Sequence, residues 1–269
     1  MRTVPSPPPV PHGFALVTGA SAGTGREIAF ALAEAGYDVG LLGRRTPALE
    51  LVAERVRTSG GNGLVLTCDL CDAAAVAQAT ESFLAWSGGR ADALINAAGI
   101  PGPLSPPVGE IAVDDFDQVI AVNLRGAFLT MSHLLPVMKR AGGGRVVNIG
   151  GTHGLRGRVG RASYSASKWA LRGLTRSAAL EAGQFGVTVN LVAPGAIAVD
   201  RMRAGWTARA ACEGVSEQLV LERYADAMGI ALGRTNDPAD VVAMVLFLLS
   251  EGARNITGQE LVVDGGTVV

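Results

Sequence analysis

The sequence predicts an α/β fold, one doubly wound parallel sheet of seven strands with helices on both faces. Two observations predict it. Short runs rich in Val, Leu and Ile alternate with helical patterns along almost the whole chain, the order that produces right-handed βαβ crossovers. These runs also lack apolar–polar alternation, as strands do when helices cover both of their faces.

The elements follow in order. Phe14–Thr18 reads as the first strand, and after a glycine-rich turn Arg26–Ala35 as the first helix. Val39–Leu42 and Pro47–Thr58 form the next strand–helix pair, then Gly63–Cys68 and Ala73–Ser87. Asp92–Asn96 and Arg145–Ile149 make the fourth and fifth strands. Between them, Asp114–Arg140 reads as one long helix, acidic in its first turn and basic in its last as a helix dipole prefers. Pro136 is expected to kink or interrupt it. Val187–Val192 and Glu260–Val263 complete the sheet. No repeat and no internal linker divides the chain, so residues 13–269 are expected to form one domain. Residues 1–12, with five prolines from Pro5 to Pro11, are expected to be a disordered tail.

Composition narrows the function classes. Of the 269 residues 48% are hydrophobic and 17% charged, which excludes intrinsic disorder. Twenty-three Lys and Arg against 24 Asp and Glu leave a net charge of −1, which argues against nucleic acid or an anionic membrane as partner. The longest purely apolar run, Val241–Leu249, is about half a membrane span. The N-terminal segment lacks the apolar region of a signal peptide. Three cysteines, including the pair Cys68 and Cys71, lack supporting metal ligands, so no metal site is expected. A reducing, cytoplasmic setting and a small-molecule partner are the expectations.

Ligands of such sheets sit beyond the carboxyl ends of the strands. After the first strand stands Thr18-Gly-Ala-Ser-Ala-Gly-Thr-Gly25. Gly19, Gly23 and Gly25 permit a sharp turn, close approach to a diphosphate and tight helix packing, with Ser21 and Thr24 between them. A helix opening near Thr24 directs unpaired N–H groups at that diphosphate.

With this Rossmann-type turn, further motifs in order make the chain resemble the short-chain dehydrogenase/reductase (SDR) family. They are Asn96-Ala-Ala-Gly99, Asn123 in Val-Asn-Leu-Arg-Gly126, Tyr164-Ser-Ala-Ser-Lys168, Pro194-Gly195, and Ile256-Thr-Gly running to Gly266. The resemblance covers about Phe14 to Gly266. It implies a nicotinamide dinucleotide held by the glycine turn and by Asn96, Ala97, Gly99, Tyr164, Lys168, Pro194, Gly195 and Ile197, with Asp69 and Leu70 at the adenine. The second strand ends Leu42-Gly43-Arg44-Arg45 with no carboxylate to take ribose hydroxyls, so Arg44 and Arg45 favour the 2′-phosphate of NADP(H).

Tyr164 and Lys168 are one helical turn apart and share a face. An ammonium there is expected to lower the phenol pKa toward neutrality, making Tyr164 the acid/base for interconverting a ketone and a secondary alcohol. The resemblance gives Lys168 a hold on the nicotinamide ribose and makes Asn123 the anchor of a relay water. One family residue is missing. The serine that binds the substrate carbonyl lies thirteen residues before the tyrosine, and that position is Gly151. Loss of such a donor costs about 10²–10³ in rate. Three readings stay open: Thr152 or His153 supplies the donor, the substrate brings its own, or the scaffold runs another reaction. That other reaction would be a lyase, isomerase or dehydratase step. A non-catalytic NADP-binding protein is a further alternative. Ala198-Val199-Asp200 also departs from the hydroxyl residue that the family often places near the carboxamide.

Arg156, Arg158 and Arg161 lie on the loop that the resemblance puts beside the substrate cleft, so an acidic substrate is one expectation. Met202, Trp206, Leu219, Leu221, Tyr224 and Met228 lie on the segment corresponding to the family's lid and suit a bulky or cyclic molecule. The two-sided apolar helix Trp169–Leu180 leaves a surplus face, and the resemblance, in which the corresponding helices pair across an interface, implies a homodimer or homotetramer.

Overall fold

The computed structural model describes residues 13–104 and 106–268, so the proline-rich tail at 1–12 lies outside the described residues. One sheet carries the fold, with seven strands: β1 (Gly13–Thr18), β2 (Tyr37–Gly43), β3 (Gly63–Thr67), β4 (Ala93–Asn96), β5 (Gly144–Ile149), β6 (Val187–Pro194) and β7 (Glu260–Val263). Their spatial order is β3-β2-β1-β4-β5-β6-β7, and every pairing is parallel. The chain winds one way from β1 to β3 and the other way from β4 on. The crevice between β1 and β4 is therefore the switch point where such sheets take ligands.

Helices α1 (Gly23–Glu34), α2 (Thr46–Thr58) and α9 (Pro238–Leu249) share a core with one face of the sheet, built on Val17, Ile28, Leu32, Leu41 and Val245. Helices α3 (Ala73–Trp86), α5 (Gly126–Ala141) and α6 (Ala162–Ala182) pack on the other around Leu16, Phe83, Leu94 and Met138. Local chemistry sets the helix ends. The Asp72 carboxylate accepts from the Ala74 and Ala75 amides at 2.9 and 3.1 Å to start α3. Asp237 and Asp240 form a capping box at α9 with Pro238 in its first turn, and α5 stops at left-handed Gly142. Helices α7 (Asp200–Glu213) and α8 (Glu217–Met228) form a hairpin with a small core of its own, in which Trp206 and Tyr224 meet edge to face at 5.6 Å.

The long helix differs from its sequence expectation. It is α4 (Val113–Ile120), a π-helical turn at Ala121–Arg125, and then α5. The irregularity falls on Asn123, and α5 runs through Pro136. Pro136 and Ser132 are both exposed, so the carbonyl that the proline leaves without a partner faces water. This 29-residue stretch is long and apolar enough to cross a membrane, yet half of its most apolar window is buried, with Met131, Leu134 and Met138 in the core.

Candidate active site

A cleft of about 840 Å³ opens over the carboxyl ends of the strands, within the size range of small-molecule sites. One end is the β1–α1 turn. Gly19 and Gly23 have φ of +70° and +55°, and a Cβ on Gly25 would lie 2.4 Å from the Gly19 carbonyl oxygen. Only glycine lets α1 seat that close. Helix α1 has no side-chain cap, so its first-turn N–H groups are free to meet an anion in the cleft, beside Ser21 and Thr24. Arg44 lines the same end and makes no side-chain hydrogen bond or ion pair among the described residues. Arg45 donates to the Ser21 carbonyl and hydroxyl, each at 3.3 Å, and so staples the turn. Asp69, Leu70, Ala97, Gly99, Pro194, Gly195 and Ile197 line the cleft as expected. An uncapped helix end, an unpaired guanidinium and backbone without side chains suit a dinucleotide diphosphate and a phosphorylated ribose.

Asn96 is the exception. Its side chain is buried, accepting from the Thr130 hydroxyl at 2.7 Å and donating to Asn148 at 2.9 Å; Asn148 donates on to Thr175. It does not reach the cleft. This network ties β4 and β5 to α5 and α6 and so fixes the helix carrying Tyr164. Asn148 carried the legible signal, a polar residue inside the apolar run Val146–Ile149.

Tyr164 and Lys168 stand on α6 at the other end. The Lys168 Nζ donates to the Ile149 carbonyl at 2.8 Å and lies 5.6 Å from the Tyr164 ring centroid. Burial lowers the Lys168 pKa to about 8. Burial raises that of Tyr164, with Arg161 and Arg201 acting in the opposite direction. The net direction for the phenol is therefore upward, against the expected fall toward neutrality: desolvation opposes charge on both groups and outweighs the ammonium beside the ring. Asn123 lies behind the cleft wall. It accepts from the Ile100 amide at 2.8 Å and donates to the Ile100 carbonyl at 3.0 Å and the Ser167 hydroxyl at 3.1 Å. Its side chain clamps the strand-end loop onto α6, so any part it plays in proton relay would fall to backbone groups at the π turn.

Gly151 faces the phenol. A Cβ there would sit 3.4 Å from the Tyr164 hydroxyl and 3.8 Å from the Pro194 carbonyl, in ordinary contact. Thr152 and His153 line the same wall in a 3₁₀ turn. The His153 ring meets that of Tyr164 edge-on at 5.5 Å, and its Nε2 is buried with no partner among the described residues. Burial first, then Arg158, Arg161 and Arg156, lowers the His153 pKa to about 4. The histidine is neutral at physiological pH. Because the folded pKa is depressed from 6.5, the stability it allows is complete above pH 6.5 and is lost as pH falls toward 4. Over that window urea denaturation is expected to show the native protein losing stability relative to His153→Gln as pH falls. Parallel curves would remove this assignment.

The lid residues divide. Met202, Tyr224 and Met228 line the cleft; Trp206 is buried in the hairpin core, with Leu221 packed against it. Leu219 falls in neither group. Of the loop arginines expected beside the substrate, Arg158 and Arg161 line the cleft, and the cleft arginine that escaped the sequence reading is Arg201, which a long connection brings to Tyr164. Among the described residues no cluster suits a metal ion, and the three cysteines are free.

The parallel sheet, the glycine turn at its switch point and the Tyr–Lys pair facing it define the class of Rossmann-type oxidoreductases. A family model described as Enoyl-(Acyl carrier protein) reductase matches residues 19–268. The chain belongs to the short-chain dehydrogenase/reductase family. It is 35% identical over 254 residues to 3-oxoacyl-(acyl-carrier-protein) reductase FabG of Staphylococcus aureus, covering 94% of this chain and 96% of that one. It is 34% identical over 262 residues to levodione reductase of Leifsonia aquatica, covering 93% and 92%. The crystal structure of an actinorhodin polyketide ketoreductase variant with NADPH superposes with a TM-score of 0.86 at 32% identity, over 95% and 97% of the two chains. These relatives are reductases.

Proposed function

We propose that this protein is an NADP(H)-dependent oxidoreductase that interconverts a ketone and a secondary alcohol. One observation carries the reading: Tyr164 and Lys168 face the cleft whose far end is the uncapped α1 terminus with the unpaired Arg44. The glycine turn would hold the diphosphate, Arg44 the 2′-phosphate, Asp69 and Leu70 the adenine, and Lys168 the ribose beside Pro194, Gly195 and Ile197. When bound, the nicotinamide supplies or accepts the hydride. Tyr164 gives its phenolic proton to the carbonyl oxygen during reduction and takes it back during oxidation. Burial favours the protonated phenol, the form that donates during reduction. Lys168, still mostly charged below its pKa of about 8, supports the phenolate left behind.

The test is nicotinamide absorbance with NADPH and a panel of cyclic and acidic ketones. Turnover without net change in the nicotinamide would replace this reading by a lyase or isomerase one. The two arginines are expected to separate. Arg44→Ala should raise KM for NADPH about 10–100-fold and leave KM for NADH almost unchanged, through loss of one charge-assisted contact. Arg45→Ala should weaken both cofactors, because it releases the turn at Ser21. Equal losses with the two cofactors in Arg44→Ala would shift the preference toward NAD. The exposed Phe128 on α5 and Trp169 and Leu180 on α6 support association through these helices as a homodimer or homotetramer, measurable by light scattering.

A further inference from the structure

The arginines around the cleft fall into two groups. On the α7–α8 hairpin, Arg203 pairs with Asp237 at 2.9 Å, while Arg209 and Arg223 pair with Glu213 at 2.6 and 3.2 Å. Arg26, at the cofactor end, pairs with Asp200 at 3.0 Å. Arg158, Arg161 and Arg201 line the cleft on the Tyr164 side, and none of them has a carboxylate partner among the described residues. The hydrogen bond recorded for Arg158 goes to the Met228 sulfur, a weak acceptor.

Nothing in helix stability accounts for these positions. Arg161 is the residue before α6 and gives it no side-chain cap, and Arg201 sits in the first turn of α7, where a cation opposes the helix dipole. The like charges also repel: Arg158 and Arg201 each lower the pKa of Arg161, and burial lowers it further. Asp200, the carboxylate adjacent to Arg201 in sequence, is engaged by Arg26 and does not relieve this. Three guanidiniums without a carboxylate partner thus stand beside the phenol, Arg158 and Arg201 exposed and Arg161 half-buried, and an anion entering the cleft would find charge-assisted donors there.

We propose that Arg161 and Arg201, backed by Arg158, receive an anionic group on the substrate, a carboxylate or a phosphoryl group, and place the oxo group of the same small molecule at Tyr164. The substrate class is an anionic ketone. This deepens the ketone-reducing reading of the cleft and rests on it. The anion receptor lies at the Tyr164 end of the cleft, whereas Arg44 and the α1 terminus serve the opposite end. The missing side chain at Gly151 leaves room for a substituent close to the phenol.

The probes are para-substituted cyclohexanones carrying a carboxylate, a phosphonate or a neutral carboxamide, with NADPH. At least one anionic ketone is expected to exceed the carboxamide in kcat/KM by about tenfold to a hundredfold, an advantage that shrinks as salt is raised. The better of the two anions identifies the group received. Arg161→Gln and Arg201→Gln should each bring the ratio toward unity, and Arg201→Lys should keep only part of it, because an ammonium lacks the planar fork. A ratio near one in the native protein, or one unchanged in both Gln variants, overturns the proposal. If no ketone oxidises NADPH, the reductase reading fails and the receptor is still tested by calorimetry of the same compounds on the NADPH-loaded protein. Equal affinity for anionic and neutral compounds there would overturn it.

Discussion

Tyr164→Phe is expected to reduce turnover by about 10³-fold or more while NADPH binding and thermal unfolding stay close to those of the native protein. The hydroxyl makes no hydrogen bond within the protein among the described residues, so its removal leaves no partner unsatisfied, and the ring keeps its edge contact with His153 at 5.5 Å. The loss should therefore appear in kcat and not in folding. Raising the pH should not rescue the variant, whereas in the native protein oxidation of an alcohol should rise with pH as the buried phenol, raised above its ordinary value, begins to ionise. A variant with full turnover would remove Tyr164 from the chemistry and with it the proposed reaction.

The second large effect belongs to Gly151→Ser. The backbone there has φ 158° and ψ 154°, at the edge of the positive-φ region that L side chains avoid, and the new Cβ would lie 3.4 Å from the Tyr164 hydroxyl. Serine fits that space once the backbone relaxes by the few degrees that bring φ to the ordinary extended range. Its hydroxyl would stand beside the proton donor, where a second donor to the carbonyl oxygen is missing, and such a donor is worth about 10²–10³ in rate when removed from enzymes that have it. A gain of about 10- to 100-fold in kcat is expected with a small neutral ketone, measured with NADPH at saturation. A loss with the same ketone would contradict the idea of a missing donor and would mean that the open volume at Gly151 is itself part of the binding surface.

Much of this molecule was legible in order along the chain. The strands came from continuous apolar runs, and their bounds differ from the sequence expectation by at most two residues at either end. The β1–α1 turn was legible because three glycines in seven residues meet a local backbone need. Tyr164 and Lys168 were legible because helix period alone puts them on one face. What was not legible depends on partners far away in sequence. Asn96 reads as a cofactor residue, but Asn148, 52 residues on, and Thr130 take its hydrogen bonds. Pro136 reads as the break in the long helix, but the irregular turn forms at Asn123, which Ile100 and Ser167 hold from outside the helix. Lys168 reads as the neighbour that acidifies Tyr164, but burial of the phenol in the fold outweighs it.

By itself, then, the amino-acid order determined the sheet, the crossovers, the glycine turn and the spacing of Tyr164 and Lys168, because each follows from a period or a backbone requirement met within a few residues. Tertiary structure alone decided which polar groups are consumed by the scaffold and which are left to meet a ligand. It brought Arg201 to the arginines of the loop before α6 and gave every other arginine of the α7–α8 hairpin a carboxylate. The physical reason is that charge pairing and burial depend on distances through the folded molecule, and separation along the chain carries no record of them.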